Sequence, residues 1–326
     1  MGKVKGEHFV PQCYLNMFTN DEKLNVYDKT KGEVRINQSI SKIAKQKAFY
    51  DFSQEELQKI KEMYPEIDDE QYIEHYFSDN IEPGLKNCLE TLQVENFPKE
   101  DDIIIQLEDD LKLHLSVQMA YQFLRTQGLR NNLPKLPDTD SAFLQKLMLI
   151  DDGIIAQWAK YFYDFRWMIG VNKTRIPLYT SDNPVCIYNI VTDKVGLEDW
   201  SDKGNRIIYY PYSESICVTL MDIPSNFVPS SLVVPIGDYQ VSFQNALIYK
   251  NAVNYVFSKS DMSNIGNLVD FSDSFKNMKA SDEDNNNLNQ IEYELIRAIE
   301  SGKIDPSKLQ NIGDDLLTII SHMKYQ

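Results

Sequence analysis

At 326 residues the chain can build one large domain or two ordinary ones, and 42% hydrophobic with 25% charged residues excludes a disordered or fibrous class. Its net charge of −16 excludes a broad, sequence-indifferent binder of duplex DNA, because an acidic body is repelled by phosphate at long range. No run approaches the about 18 consecutive apolar residues of a membrane span. The N-terminal residues "MGKVKGEHFV" lack the apolar core of a signal peptide. Cys13, Cys88, Cys186 and Cys217 form no C-x-x-C pair, which suits a reducing cytoplasm and speaks against a zinc site or a disulfide frame.

Charge is unevenly spread. Residues 1–50 hold nine Lys/Arg against five Asp/Glu, or +4, which leaves −20 for the remainder. Lys42, Lys45 and Lys47 could give this segment a local basic face for a phosphate-bearing ligand, although a solvated surface would look the same.

In chain order, Pro11 opens a short helix in which Tyr14, Leu15 and Phe18 fall at helical spacing. Residues 24–37 read as a β-hairpin around Lys-Thr-Lys-Gly. "SISKIAKQKAFYDF" follows, with Ser39 or Ser41 as a cap and Ile40, Ile43 and Ala44 on one face, as in a helix. A helical body spans 53–165, broken by the proline-rich "LPKLPDTD" and closed by one long helix, "SAFLQKLMLIDDGIIAQWAKYFYDF". Residues 166–240 turn to short β-rich runs, and "VSFQNALIYKNAVNYVFSK" returns to helix. The expectation is an α+β domain over 1–270, with a small, mostly antiparallel C-terminal sheet. An acidic linker and helical tail at 271–326 would follow, and its helix is a candidate surface for a protein partner or a second copy.

No P-loop, G-x-S-x-G, H-E-x-x-H or dinucleotide glycine motif is present. Only His8, His75, His114 and His322 exist, and no two lie three or four apart, so neither a metal nor a cofactor is expected. Three segments remain as candidates. His8 can act as acid or base near neutral pH with Gln12 positioning a substrate, but the same residues could simply start a helix. Gln118, Gln122 and Arg125 share one helix face, where the arginine could fork onto phosphate or make a salt bridge. Ser181 and Asp182 sit in "YTSDNPV", a strand end stiffened by Pro184 and equally a ready-made turn in which Asn would serve as well as Asp. Glu82, before Pro-Gly, is a weaker fourth candidate.

"HFVPQCYLNMF", "LNVYDK", "IAKQKAFY", "QFLRTQGLR", "TSDNPV", "YYPYS" and the Asn245 region, in that order, resemble the bacterial domain-of-unknown-function family 4238 over about residues 7 to 260. The resemblance rests on a His-x-x-Pro-Gln-x-Tyr-Leu motif at His8, Pro11, Gln12, Tyr14 and Leu15, a central arginine at Arg125, and Ser-Asp-x-Pro at Ser181, Asp182 and Pro184. Tyr212 departs from the apolar residue more usual there. The resemblance implies relatives rather than a reaction, and it favours one pocket over independent caps.

Two functional expectations follow. The first is a metal-independent nuclease or nucleotide hydrolase, with His8 as acid or base, Arg125 on phosphate charge, Asp182 orienting, and Gln12, Gln122 and Ser181 binding substrate. By association with orphan bacterial proteins, this would be a toxin or phage-defence effector acting on nucleotide or RNA. The second is a module that binds a nucleotide or small anion without chemistry; a third, looser reading is a protein-interaction component working through the tail.

Overall fold

The computed structural model describes residues 6–93, 107, 109–134, 139–190, 192–197, 206–221, 231–262 and 265–266. The acidic linker and tail expected at 271–326 lie outside them. No helix among the described residues is long and apolar enough to cross a membrane.

The chain begins with β1 (Glu7–His8), α1 (Gln12–Asn16) and the hairpin strands β2 (Lys23–Asp28) and β3 (Glu33–Ser39). The stretch read as a helix from Ser39 is instead a single 3-10 turn, Ile40–Lys42, followed by β4 (Lys45–Gln46), which pairs antiparallel with β1. Ala44 and Ala48 take φ of 48° and 51°, a left-handed backbone that stops helix propagation.

The helical body comprises α2 (Gln54–Lys61), α3 (Tyr72–Tyr76), α4 (Glu82–Thr91), α5 (Asp109–Leu124), α6 (Gln127–Asn132), α7 (Ser141–Ile150) and α8 (Asp152–Asp164). Ser53 and Glu56 satisfy the start of α2 reciprocally in a capping box. A π turn, Phe77–Ile81, joins α3 to α4. The single long helix expected near 141–165 is two. Asp151 leaves helical geometry (φ −92°, ψ 103°) and spends its carboxylate on the Ile154 N–H, which starts α8.

Beyond the body run β5 (Arg166–Asn172), β6 (Thr180–Ser181), β7 (Cys186–Asn189), β8 (Lys194–Val195), β9 (Arg206–Pro211), β10 (Ile216–Met221), β11 (Ser231–Ile236), α9 (Asp238–Asn251) and β12 (Tyr255–Ser258). A six-stranded sheet has the order β11-β5-β10-β9-β7-β8, antiparallel except for the β11–β5 pair. Every residue of β9 and β10 is buried, which explains their near-continuous apolar runs. Side chains alternate: Ile208, Tyr210, Val218 and Leu220 face the helical body, while Tyr209, Cys217 and Val234 pack with Val241 and Ile248 of α9.

The segment read as one helix to Lys259 therefore splits into α9 and a strand. Strand β12 pairs with both β2 and β6, so the N-terminal hairpin belongs to a four-stranded sheet of order β3-β2-β12-β6. Both ends of the described chain are thereby held in one structure.

Candidate functional site

Arg125 follows the last turn of α5 and is 1% exposed. Its Nη2 donates to the His8 carbonyl at 2.5 Å and approaches Glu82 Oε1 at 3.3 Å, while the guanidinium lies 4.3 Å over the Phe77 ring. One side chain thus ties β1 to the α3–α4 junction. Tyr50 donates its hydroxyl to the Arg125 carbonyl at 2.7 Å, which fixes the other end of the residue.

His8 is half-buried beside this cation. Burial and the Lys45 charge, with a further contribution from Arg125, pull its imidazole down to about 4; a hydrogen bond to the Ile40 backbone opposes them. The ring is therefore neutral at pH 7. With one nitrogen donating to that carbonyl, Nε2 carries the lone pair, and it has no partner among the described residues. Cys13, half-buried on α1, senses both Glu82 and Arg125, and burial pushes its thiol up to about 11. It is not a thiolate at neutral pH.

Behind the cation lies a carboxyl cluster that the sequence reading missed. Glu7 is fully buried; it accepts the Tyr50 N–H at 2.6 Å, and Gln71 Nε2 reaches both Glu7 (3.4 Å) and Asp51 (2.9 Å). Burial, a hydrogen bond with Asp51 and the Asp51 and Glu74 charges push Glu7 up to about 8. Glu74 is also raised, to about 7, by burial, with Arg125 pulling down and Glu82 pushing up. A proton donor near neutrality therefore stands within the field of Arg125. Glu74 and Glu82 are eight residues apart in a helical stretch, a spacing that could have flagged them together.

The chain's own motif ties hold this arrangement. Tyr14 donates toward the Pro211 carbonyl and pairs with the Thr180 hydroxyl, each at 2.6 Å, and its ring stacks on Tyr210. Gln122, 1% exposed, donates to the Phe9 carbonyl at 3.4 Å. The N-terminal motif, the α5 arginine and the "YYPYS" strand thus meet as one unit. The sequence profile of the family described as "Protein of unknown function (DUF4238)" matches residues 7–152 and 137–262, which span this unit and the strands behind it. The chain belongs to that family. No curated protein and no solved structure matches it.

The remaining residues singled out in this DUF4238 chain sit differently. Gln12 opens α1 and is exposed. Ser181 is buried, and its hydroxyl accepts the Asn183 N–H at 3.1 Å. Asp182 is 1% exposed; Oδ1 accepts from Val253 N–H (2.9 Å), and Oδ2 accepts from the N–H groups of Asn254 (2.7 Å) and Tyr255 (3.1 Å). Its carboxylate holds the turn between α9 and β12. Burial still raises it to about 6, with these three bonds and Lys29 opposing. None of its hydrogen bonds reaches His8, whose orienting partner is the Ile40 carbonyl. Among the described residues, no group of three or more His, Cys, Asp or Glu is placed to hold a metal ion.

Proposed function

We propose that the protein is a hydrolase of a phosphate-containing substrate, a metal-independent nuclease or nucleotide hydrolase, with its site between β1, α1, α4 and the end of α5. The observation that carries this reading is the pairing of a neutral His8, its Nε2 lone pair unpartnered, with the fixed Arg125 guanidinium. His8 Nε2 takes a proton from the attacking water, and Arg125 offsets the negative charge that develops on the phosphoryl oxygens. Glu74, which holds a proton up to about pH 7, supplies one to the leaving oxygen. Glu82 stands beside Arg125 at 3.3 Å, where a substrate anion would compete with it. Asp182 serves this site through the α9–β12 turn, and Ser181 through its bond to the Asn183 N–H, rather than by touching substrate. An effector that degrades nucleic acid or nucleotide, of the toxin or phage-defence kind, is the setting such chemistry suits.

The test is hydrolysis of RNA, DNA and nucleotides by the purified full chain with and without EDTA. Turnover that survives EDTA and is lost in His8→Ala supports the reading. Turnover abolished by EDTA and rescued by Mg²⁺ or Mn²⁺, or no turnover of any of these substrates, refutes it.

A further inference from the structure

Where β1, α1, α4, α5 and the end of β9 meet, the fold buries polar atoms and does not satisfy them. Besides His8 Nε2 and Arg125 Nε, these are Gln118 Oε1, Gln122 Oε1 and the hydroxyls of Tyr210 and Tyr212, none with a partner among the described residues. Their residues, His8 apart, are at most 8% exposed. Buried polar groups are nearly always paired, and each exception lowers stability, so several side by side call for a reason.

They do lie side by side. Gln118, Gln122 and Arg125 follow one face of the same helical run. Tyr210 stacks on Tyr14 and sits within the field of Cys13 and Arg125. Tyr212 packs edge-on against Tyr210 at 4.7 Å and senses Cys88 of α4. One turn earlier on α4, Gly84 is so near Gln118 that a Cβ there would stand 2.9 Å from its Nε2. Strand β9, α1, α4 and α5 therefore share a single polar wall.

The hydrogen-bonding capacity of that wall is mixed. His8 Nε2 and the two glutamine oxygens accept, the Arg125 Nε–H donates, and the two phenols can donate or accept. A phosphodiester offers acceptors only, and a free phosphate too few O–H donors, so either would leave histidine and glutamine atoms unpaired. What complements the wall is a neutral ring bearing N–H donors and acceptors along one edge, which is the description of a nucleobase. We propose that Gln118, Gln122, Tyr210 and Tyr212 recognise the base of a nucleoside whose phosphate end lies toward Arg125. This rests on the phosphate-substrate reading above and adds the identity of the neutral part.

The test is isothermal titration of the full chain with adenosine, guanosine, cytidine and uridine, beside inorganic phosphate and ribose 5-phosphate. Tyr210→Phe and Tyr212→Phe each remove an unpartnered hydroxyl at nearly constant shape. The inference expects at least one nucleoside to bind, with each variant weakening it at least about tenfold and melting at or above the wild-type temperature, since an unpaired buried group is removed. Variants that melt several degrees lower would show the atoms to be structural, and unchanged nucleoside affinity in both would show that they read no base; either overturns the inference. Binding of ribose 5-phosphate without any nucleoside also overturns it and leaves the hydrolase reading intact. Nucleoside binding without turnover of any phosphate ester keeps the base site and refutes the hydrolase.

Discussion

The Thr126 hydroxyl donates to the Asn183 side-chain oxygen at 2.9 Å, joining the residue after Arg125 to the residue after Asp182. The two motifs they belong to are 57 positions apart. Asn183 also donates to the Asn251 carbonyl at 3.1 Å, and Asn251 returns a bond of 2.6 Å to the Asn183 carbonyl. The contact leaves no room at Gly128, where a Cβ would stand 2.4 Å from Asn183 Nδ2. Gly128→Ala should therefore destabilise the protein by about 1–3 kcal/mol, the usual scale of overpacking. Equilibrium denaturation checks this, and an unchanged midpoint would show that Asn183 moves aside freely.

Asp182→Asn separates a turn former from a carboxylate anchor. Three backbone N–H groups point at the Asp182 oxygens, and an Asn amide would turn an NH₂ toward at least one of them. A loss of about 1–3 kcal/mol is expected, the scale for a buried donor left unpaired. Turnover per folded molecule should change little. Thermal melting and activity measured on the same samples separate the two effects; a variant with wild-type stability and a large catalytic loss would restore a chemical role to Asp182.

The Glu7–Asp51 pair sets a pH dependence of stability. Glu7 titrates at about 8 in the folded protein against an ordinary value of 4.5, so the folded state binds that proton more tightly than the unfolded one. Its contribution to stability is fully present below about pH 4.5 and is lost as pH rises through about 8. Glu7→Gln, which mimics the protonated acid beside Asp51, should flatten that fall and melt higher than wild type at pH 9. Melting curves from pH 5 to pH 9 decide it, and parallel curves for the two proteins would mean that Glu7 does not carry the proton.

For activity, His8→Ala should cost at least about a hundredfold in kcat/KM, the usual scale for general acid–base catalysis. Because His8 is neutral down to about pH 4, the rate should show no imidazole limb between pH 5 and 8. A falling limb near pH 7 is expected instead from Glu74 and should vanish in Glu74→Gln. A pH–rate profile of both variants is the measurement; a limb that persists in Glu74→Gln would move the acid elsewhere.

Arg125→Lys should lose both activity and stability. An ammonium on a flexible stem cannot reproduce the planar contact with Phe77 together with the bonds to the His8 carbonyl and Glu82. Stability measured beside turnover checks this, and a fully stable, fully active lysine variant would show that a point charge suffices.

The alternation of "KLNVYDKTKGEVRIN" and the near-continuous apolar runs of β9 and β10 were legible as sequence, because each is a local property of the chain. The break at Asp151 and the strand after Asn251 were not. At Asp151 the carboxylate caps the Ile154 N–H and also accepts the Tyr64 hydroxyl at 3.2 Å, while after Asn251 pairing with β2 and β6 wins over the local preference for helix. The surroundings of Asp182 are set in the same way. Asp and Asn are equivalent in an isolated turn, and only the three N–H groups arriving from more than 70 residues away distinguish them.

By itself the sequence determined the mixed helical and β composition, the family and the motif residues His8, Tyr14, Gln122 and Arg125, since these depend on residue identity, spacing and order. Tertiary structure alone decided which of those residues share an environment. It placed Glu7, Asp51 and Glu74 behind Arg125 and set Tyr210 and Tyr212 against α1 and α4. It also assigned Asp182 to a backbone turn. The physical reason is that desolvation and hydrogen-bond partnership are set by what surrounds a side chain in space, and no local pattern encodes the surroundings contributed by residues far along the chain.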